Sequence, residues 1–387
     1  MRVLIVHNRY QIAGGEDTVV AQESQMLRDD GVEVKTFIPS NDEIVGVAAR
    51  IKTAAQVTYS WTMRRRIAAE IAGFKPSIVH VHNFFPTVTP SVYDAARDAG
   101  CKVVQTIHNY RLICPSGTLF RDGHVCHDCV GKGIAWPGIL HGCYRDSHAG
   151  TAAVATMLTV NRLRGAWSER VDRFLMLTAF ARDFFAEHAG IPLHKMRVKP
   201  NAVQDPGVGD GGGGYALYAG RLSEEKGIRT LLEAANQGLA IPLRIAGSGP
   251  LEKEVRSAHA QGKVEYLGPQ SQEQIRSLMQ RAALLLTPSQ WYEGLPMVIP
   301  EAYGTGLPII ASQVGSLASL IIPEQTGLLV EPGNAKSLAD ATRKLVDAPA
   351  LLAKLRAGAR KAYESDYRPE TNMALLTAIY DELLTEN

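Results

Sequence analysis

Two glutamates and two cations carry the strongest chemical signal in the sequence. Glu293 and Glu301 flank the stretch Glu293-Gly294-Leu295-Pro296-Met297-Val298-Ile299-Pro300-Glu301. Gly294 permits an unusual backbone shape. Pro296 suits the first position of a helix, where its missing N–H would be an orphan anyway. The pattern predicts Glu293 in a loop and Glu301 inside the helix that follows, with the helix start offering N–H groups and positive dipole charge to an anion. On one continuous helix, carboxylates eight residues apart would stand about 12 Å apart along the axis. That is too far to share a proton and comfortable for the two ends of one ligand, such as the sugar and the ribose of a nucleotide-sugar. A loop glutamate and a solvated helix glutamate form the plainer alternative.

Arg221 and Lys226 lie in Gly220-Arg221-Leu222-Ser223-Glu224-Glu225-Lys226-Gly227, directly after an apolar run, Tyr215 to Ala219, that reads as a strand. Cations at a strand end and a helix start can clamp a diphosphate and neutralise a charged leaving group. A surface pair answering Glu224 and Glu225 is the competing account. Gly247-Ser248-Gly249-Pro250 follows a further strand, Leu243 to Ala246, and its turn lets a flat base lie against backbone. Near the start of the chain, Gly14-Gly15 separates the strand Arg2 to His7 from a helical stretch, a phosphate-friendly geometry that also fits a plain tight turn. His108 ends the strand Lys102 to Ile107, where an imidazole can orient or relay a proton on a substrate hydroxyl.

Cysteine marks a different chemistry. Cys114, Cys126, Cys129 and Cys143 lie in a Gly/Pro/His-rich insertion at 111–148 with little periodicity. Cys126-His127-Asp128-Cys129 has the spacing of a metal knuckle, and Cys114 and Cys143 can complete four thiolates. His124, His127, His141 and His148 are substitute ligands. A structural zinc is the first reading, reduced thiols the second, and an iron–sulfur centre or disulfides follow. Four thiolates leave no open position, so a catalytic zinc is not expected. His80 and His82 share one strand face, but with no third ligand near in sequence they read as packing. Cys101 reads as packing too.

These groups need a scaffold. The chain has 387 residues, too many for one ordinary core, and strands alternate with helices in two rounds. Asp205 to Gly214 holds a proline and six glycines and reads as a linker. The expected organisation is therefore 1–204, the linker 205–214, a second domain 215–368, and a terminal helix 369–387. The region 42–73 reads as one helical stretch. Its Trp61-Thr62-Met63-Arg64-Arg65-Arg66 run fits a solvated face, with an anionic membrane surface as the alternative. A net charge of +2 gives no basic field for nucleic acid, and no apolar run approaches a membrane span. A cytoplasmic location, peripheral at the inner face of the membrane if attached at all, is expected.

With Gly220-Arg221-Leu222, Lys226-Gly227 and the Glu293/Glu301 pair in this order, the chain resembles the retaining glycosyltransferases of family 4. The resemblance covers nearly the whole length. It implies an α/β fold of two facing Rossmann-like domains (GT-B type), an active-site cleft between them and a final helix that crosses back to the first. It implies a nucleotide-diphosphate sugar donor (UDP- or GDP-sugar), an acceptor hydroxyl on a glycan or lipid-linked glycan, and no catalytic metal; no Asp-x-Asp occurs. Carried over, Glu293 meets the donor sugar, Glu301 the ribose, and Arg221 and Lys226 the diphosphate. Gly14 and Gly15 close on the phosphate, and His108 lies near the reacting sugar. Gly294, Leu295, Pro296 and Gly247 complete the donor-binding set. Two departures stand out. Pro200-Asn201-Ala202-Val203-Gln204 replaces the usual Pro-Asn-Gly-Val-Asp, and the cysteine insertion looks like that of a sub-branch found in polysaccharide or lipopolysaccharide assembly. Rival readings are a nucleotide-sugar epimerase, a non-catalytic nucleotide-sugar-binding protein, and a dehydrogenase, the last weakened by the missing Gly-x-Gly-x-x-Gly.

Overall fold

The computed structural model describes residues 1–10 and 15–386, the side chain of Glu43 excepted. Gly14 therefore lies outside the described residues. Two compact units are present. The first comprises Met1–Leu119, Cys126–Asn201 and the end of the chain from Asn372; the second comprises Phe120–Val125 and Ala202–Thr371.

The first unit is built on a six-stranded sheet. Its strands are β1 (Arg2–His7), β2 (Glu33–Phe37), β3 (Ile78–Asn83), β4 (Lys102–Ile107), β7 (Arg173–Met176) and β8 (Met196–Val198), in the order β2-β1-β3-β4-β7-β8. Two-residue strands β5 (Phe120–Arg121) and β6 (His124–Val125) form a separate antiparallel hairpin. All pairings in the large sheet are parallel. Continuous Val/Ile/Leu runs such as Val3-Leu4-Ile5-Val6 suit it, because a parallel sheet is covered on both faces. The helix Pro369–Thr385 sends Met373, Leu376, Ile379, Tyr380 and Leu383 into the same core as Val3, Ile5 and Val104.

The second unit repeats the plan with β9 (Ala216–Ala219), β10 (Leu243–Ala246), β11 (Glu265–Gly268), β12 (Leu284–Thr287), β13 (Ile309–Ser312) and β14 (Gly327–Val330). Their order is β11-β10-β9-β12-β13-β14, again all parallel. In such an open sheet, ligands bind outside the carboxyl ends of the strands where the order reverses. That switch point falls between β1 and β3 in the first sheet and between β9 and β12 in the second.

Two local expectations are corrected. The stretch 42–73 is two helices, Gly46–Gln56 and Trp61–Phe74, after a short 3-10 turn. The break falls at Ser60, whose hydroxyl accepts from the Met63 amide and so caps the second helix. Pro296 does not open its helix. That helix runs Val298–Gly304 with Met297 as N-cap, and the Ile299 amide reaches back to the Pro296 carbonyl. At seven residues it has a shorter dipole than the sequence reading assumed.

Candidate active site

The loops after β9 and β12 bring Lys226 and Glu293 together at the switch point of the second sheet. Lys226 Nζ lies 2.7 Å from Glu293 Oε1 and 2.8 Å from Oε2. Glu293 is buried and takes a further bond from Ser289 Oγ at 2.8 Å. Lys226 also sits over the Trp291 ring, 5.4 Å from its centroid. The loops are locked by close backbone approach. A Cβ on Gly227 would fall 1.9 Å from the Pro288 carbonyl oxygen, and its φ is +73°, so only glycine fits. A Cβ on Gly247 would likewise fall 1.9 Å from the Gly220 carbonyl oxygen. The Gly220 amide bonds the Ala246 carbonyl, and the Leu222 amide bonds that of Ser248. The turns that carry Arg221 and Gly247 therefore share one backbone platform.

Arg221 is exposed. Among the described residues its guanidinium has no hydrogen-bond or ion-pair partner, although its carbonyl accepts from Tyr218 Oη at 2.7 Å. The competing account of a surface pair fails here. Glu224 pairs with Arg229, and Glu225 accepts from Ser223 Oγ. Glu301 is half-buried in its helix and, among the described residues, also lacks a side-chain partner. Burial pushes its carboxyl up to about 7, opposed by the charge of Arg276. The amides of Gly294 and Leu295 donate to no protein group among the described residues. A cation, a carboxylate and two amides on the loops and helix that follow β9 and β12 thus lack hydrogen-bond partners among the described residues, a set able to receive a phosphate and several hydroxyls.

The corresponding loops of the first unit are different. His108 Nε2 lies 3.1 Å from His82 Nδ1, and the two rings stack at 5.4 Å. His80 bridges Tyr380 Oη and Thr106 Oγ1, each at 2.7 Å. Beneath them Glu23 pairs with Lys199 at 2.7 Å and lies 3.1 Å from His82 Nε2. Burial works to raise the Glu23 carboxyl, but Lys199, His82 and His80 outweigh it and hold the group well below the usual carboxylate range. Burial, together with the neighbouring His82 and His7, holds His108 well below the ordinary histidine value. Its charged form is therefore disfavoured. His80 and His82 do acquire a third neighbour from far along the chain. Their ligand atoms and one of Glu23 all lie within 4.8 Å of one another, a separation that could hold a metal ion. Lys199 already answers the Glu23 charge there, and a second cation would be repelled.

Sequence reasoning missed Glu16, Asn109 and Arg111. Glu16, one residue after Gly15 at the start of the helix Gly15–Asp29, accepts from Asn109 Nδ2 at 3.2 Å. Its second oxygen is buried without a hydrogen-bond partner. Burial pushes the Glu16 carboxyl up to about 7, with Asn109 and Arg111 opposing. Arg111 stacks over Phe85 at 4.4 Å. The available signal was an acidic residue in a first turn opposite the His108-Asn109 strand end.

All four cysteines of the insertion belong to the first unit. Gly138 N–H donates to Cys129 Sγ at 3.2 Å, and the Cys143 amide bonds the Gly138 carbonyl at 3.1 Å. Cys114 Sγ lies 3.1 Å from Ser116 Oγ. Cys101 is buried apart from them and contacts the Pro76 carbonyl.

Two family models match. "Glycosyltransferase Family 4" covers residues 13–205, and "Glycosyl transferases group 1" covers residues 207–362. Alpha-D-kanosaminyltransferase of Streptomyces kanamyceticus is 25% identical over 367 residues, covering 89% of this chain and 87% of that protein. D-inositol 3-phosphate glycosyltransferase of Rhodococcus erythropolis is 32% identical over 163 residues, 38% of this chain and 37% of that one. Among solved structures, HepE of Anabaena in complex with UDP superposes with a TM-score of 0.69 at 14% identity, over 99% of this chain and all of that one. A sucrose-phosphate synthase of Thermosynechococcus elongatus does so with a TM-score of 0.73 at 18% identity, over the full length of both. The chain is a GT-B-fold glycosyltransferase related to the group 1 and family 4 enzymes. No helix among the described residues is long and apolar enough to cross a membrane.

Proposed function

We propose that this chain transfers a sugar, with retention of anomeric configuration and without a catalytic metal, from a nucleoside diphosphate sugar to an acceptor hydroxyl in glycan assembly. The Lys226–Glu293 pair at the β9/β12 switch point, with Arg221 open beside it, carries the reading. The bond between the sugar C1 and the β-phosphate oxygen breaks, and its electron pair goes to the phosphate. Arg221 and Lys226 stabilise that growing charge; Lys226 turns partly from Glu293 to the phosphate as Glu293 takes up sugar hydroxyls. The acceptor oxygen bonds to C1 on the face being vacated, and its proton passes to the departing phosphate oxygen. No protein nucleophile is needed.

Glu301, ionised, accepts the ribose hydroxyls, while the platform at Gly247 and the amides of Gly294 and Leu295 take base and phosphate. In the first unit, His108 and the half-satisfied Glu16 are assigned to hydroxyl recognition, and Gly14-Gly15 to phosphate closure. UDP is the first nucleotide to test, because HepE was solved with it. The test is a thermal-shift panel of UDP-, GDP- and ADP-sugars followed by product analysis with glycan acceptors. Acceptor-dependent release of one nucleoside diphosphate supports transfer. Acceptor-independent release of an altered sugar would instead identify an epimerase, and tight binding without turnover a binding protein.

A further inference from the structure

The insertion between β4 and the helix His148–Leu163 has little to hold it. Among the described residues its regular structure is the two-residue strands β5 and β6 and the five-residue helix Trp136–Leu140. A long segment with so little secondary structure needs another constraint. It also concentrates strain. Leu119, Asp122, Arg145 and Asp146 all have positive φ, between 50° and 54°, a cost that persists only where surroundings over-determine the backbone.

The cysteines are placed where such a constraint would act. Gly138 is the hub. Its amide donates to Cys129 Sγ, and its carbonyl accepts from the Cys143 amide. A Cβ on Gly138 would meet both Cys129 Sγ, at 3.3 Å, and the ring of Pro115, the residue after Cys114. Cys126 and Cys129 bracket a tight turn closed by Val130 N–H to the His127 carbonyl, and the Cys126 amide bonds the Leu119 carbonyl. No three of the four sulfurs lie within 4.8 Å of one another as the chain stands, so binding must draw them together.

We propose that Cys114, Cys126, Cys129 and Cys143 bind one zinc ion as a closed tetrahedral thiolate site that cross-links the insertion internally. Four soft ligands select zinc over calcium or magnesium and leave no position for a substrate, so the ion is structural. The Gly138 amide supplies the outer hydrogen bond that orients the Cys129 sulfur. Binding displaces the thiol protons and answers the mutual repulsion of four sulfurs with a divalent charge. This site is independent of the donor site.

The test is elemental analysis of the full chain purified without chelator, beside Cys126→Ser/Cys129→Ser. About one zinc per chain in the parent, falling to background in the variant, is expected. Because the variant could fail to fold, the chelated parent is also titrated with cobalt(II). A tetrahedral thiolate spectrum saturating at about one equivalent is expected. Four thiols that react freely in a metal-free chain with no cobalt spectrum would overturn the proposal. So would bound iron with sulfide, disulfides by mass, or a full equivalent of zinc retained by a folded double variant.

Discussion

Both sheets are six-stranded and parallel and differ in where the strand order reverses, and they use their switch points in opposite ways. The second unit leaves its polar groups partly unanswered. Arg221 and Glu301 have no side-chain partners among the described residues, and Lys226 rests on Glu293. The first unit draws most of its groups into a buried network of Glu23, Lys199, His80, Thr106 and Tyr380, with Glu23 Oε1 held by ion pairing and not by a hydrogen bond. A doubly wound parallel sheet therefore hosts either a ligand-ready surface or a rigid polar core, depending on whether each charge finds its partner inside the protein. Loose ends make a binding site, and satisfied networks specify a fold.

The sharpest way to break this contrast is to unbalance the buried pair. Lys199→Met leaves the Glu23 carboxylate without its cation and should destabilise the chain by about 3–5 kcal/mol. Glu23→Gln combined with Lys199→Met should recover most of that loss in denaturant melts. If the single variant melts with the parent, the first network is not the rigid element described. The second site should respond in turnover instead. Lys226→Ala or Glu293→Gln is expected to lower kcat by roughly 10²–10³. Arg221→Ala, removing a more exposed contact, should cost about 10–100-fold in kcat/KM. Parent-like rates in Lys226→Ala would remove the phosphate clamp from the mechanism.

A pH series sharpens the contrast further. Glu301 and Glu16 have carboxyls raised to about 7, so the folded chain holds protons there that the unfolded chain has released. Their contribution to stability is present at low pH and is lost as pH rises from the ordinary carboxylate range through about 7. Donor binding needs Glu301 ionised and should strengthen over the same rise. In Glu301→Gln, affinity should fall about tenfold, and this pH dependence should flatten, as read by calorimetry. Unchanged pH dependence in the variant would take Glu301 out of ribose recognition. The smallest effect is expected at the Arg360–Asp205 pair, 2.7 Å long, where Arg360 first and foremost holds Asp205 near 2. Asp205 is largely exposed, so Arg360→Ala should cost no more than about 1 kcal/mol, a contribution lost only as pH falls through the ordinary aspartate range towards 2.

The second site was the more legible of the two because its determinants are local. Arg221 and Lys226 share the loop after β9, Glu293 lies in the loop after β12 and Glu301 in the helix that this loop leads into, and glycines 220, 227 and 247 mark the turns where backbone meets backbone. The first site resisted because its determinants are distant. Nothing near His80 in the sequence points to Tyr380, and nothing near Glu23 points to Lys199. Glu16 reads as an ordinary first-turn acid until β4 brings Asn109 to it. The alternation of strands and helices predicted the α/β class, since parallel strands need crossovers. Ser60 was missed because propensity on either side favours helix, and a single capping hydroxyl decides the break. Pro296 misled because a proline that suits a first turn suits the loop before it equally well.

The helix Pro369–Thr385 has a consequence for how the chain is made. The first sheet cannot finish its interior until Leu376, Tyr380 and Leu383 arrive, and in sequence they follow the whole of Ala202–Thr371. The part of the first unit that ends at Asn201 must wait, incompletely sealed, while Ala202–Thr371 is added. A second unit that folds unaided would emerge during that wait, so the region translated first would be the last to become native.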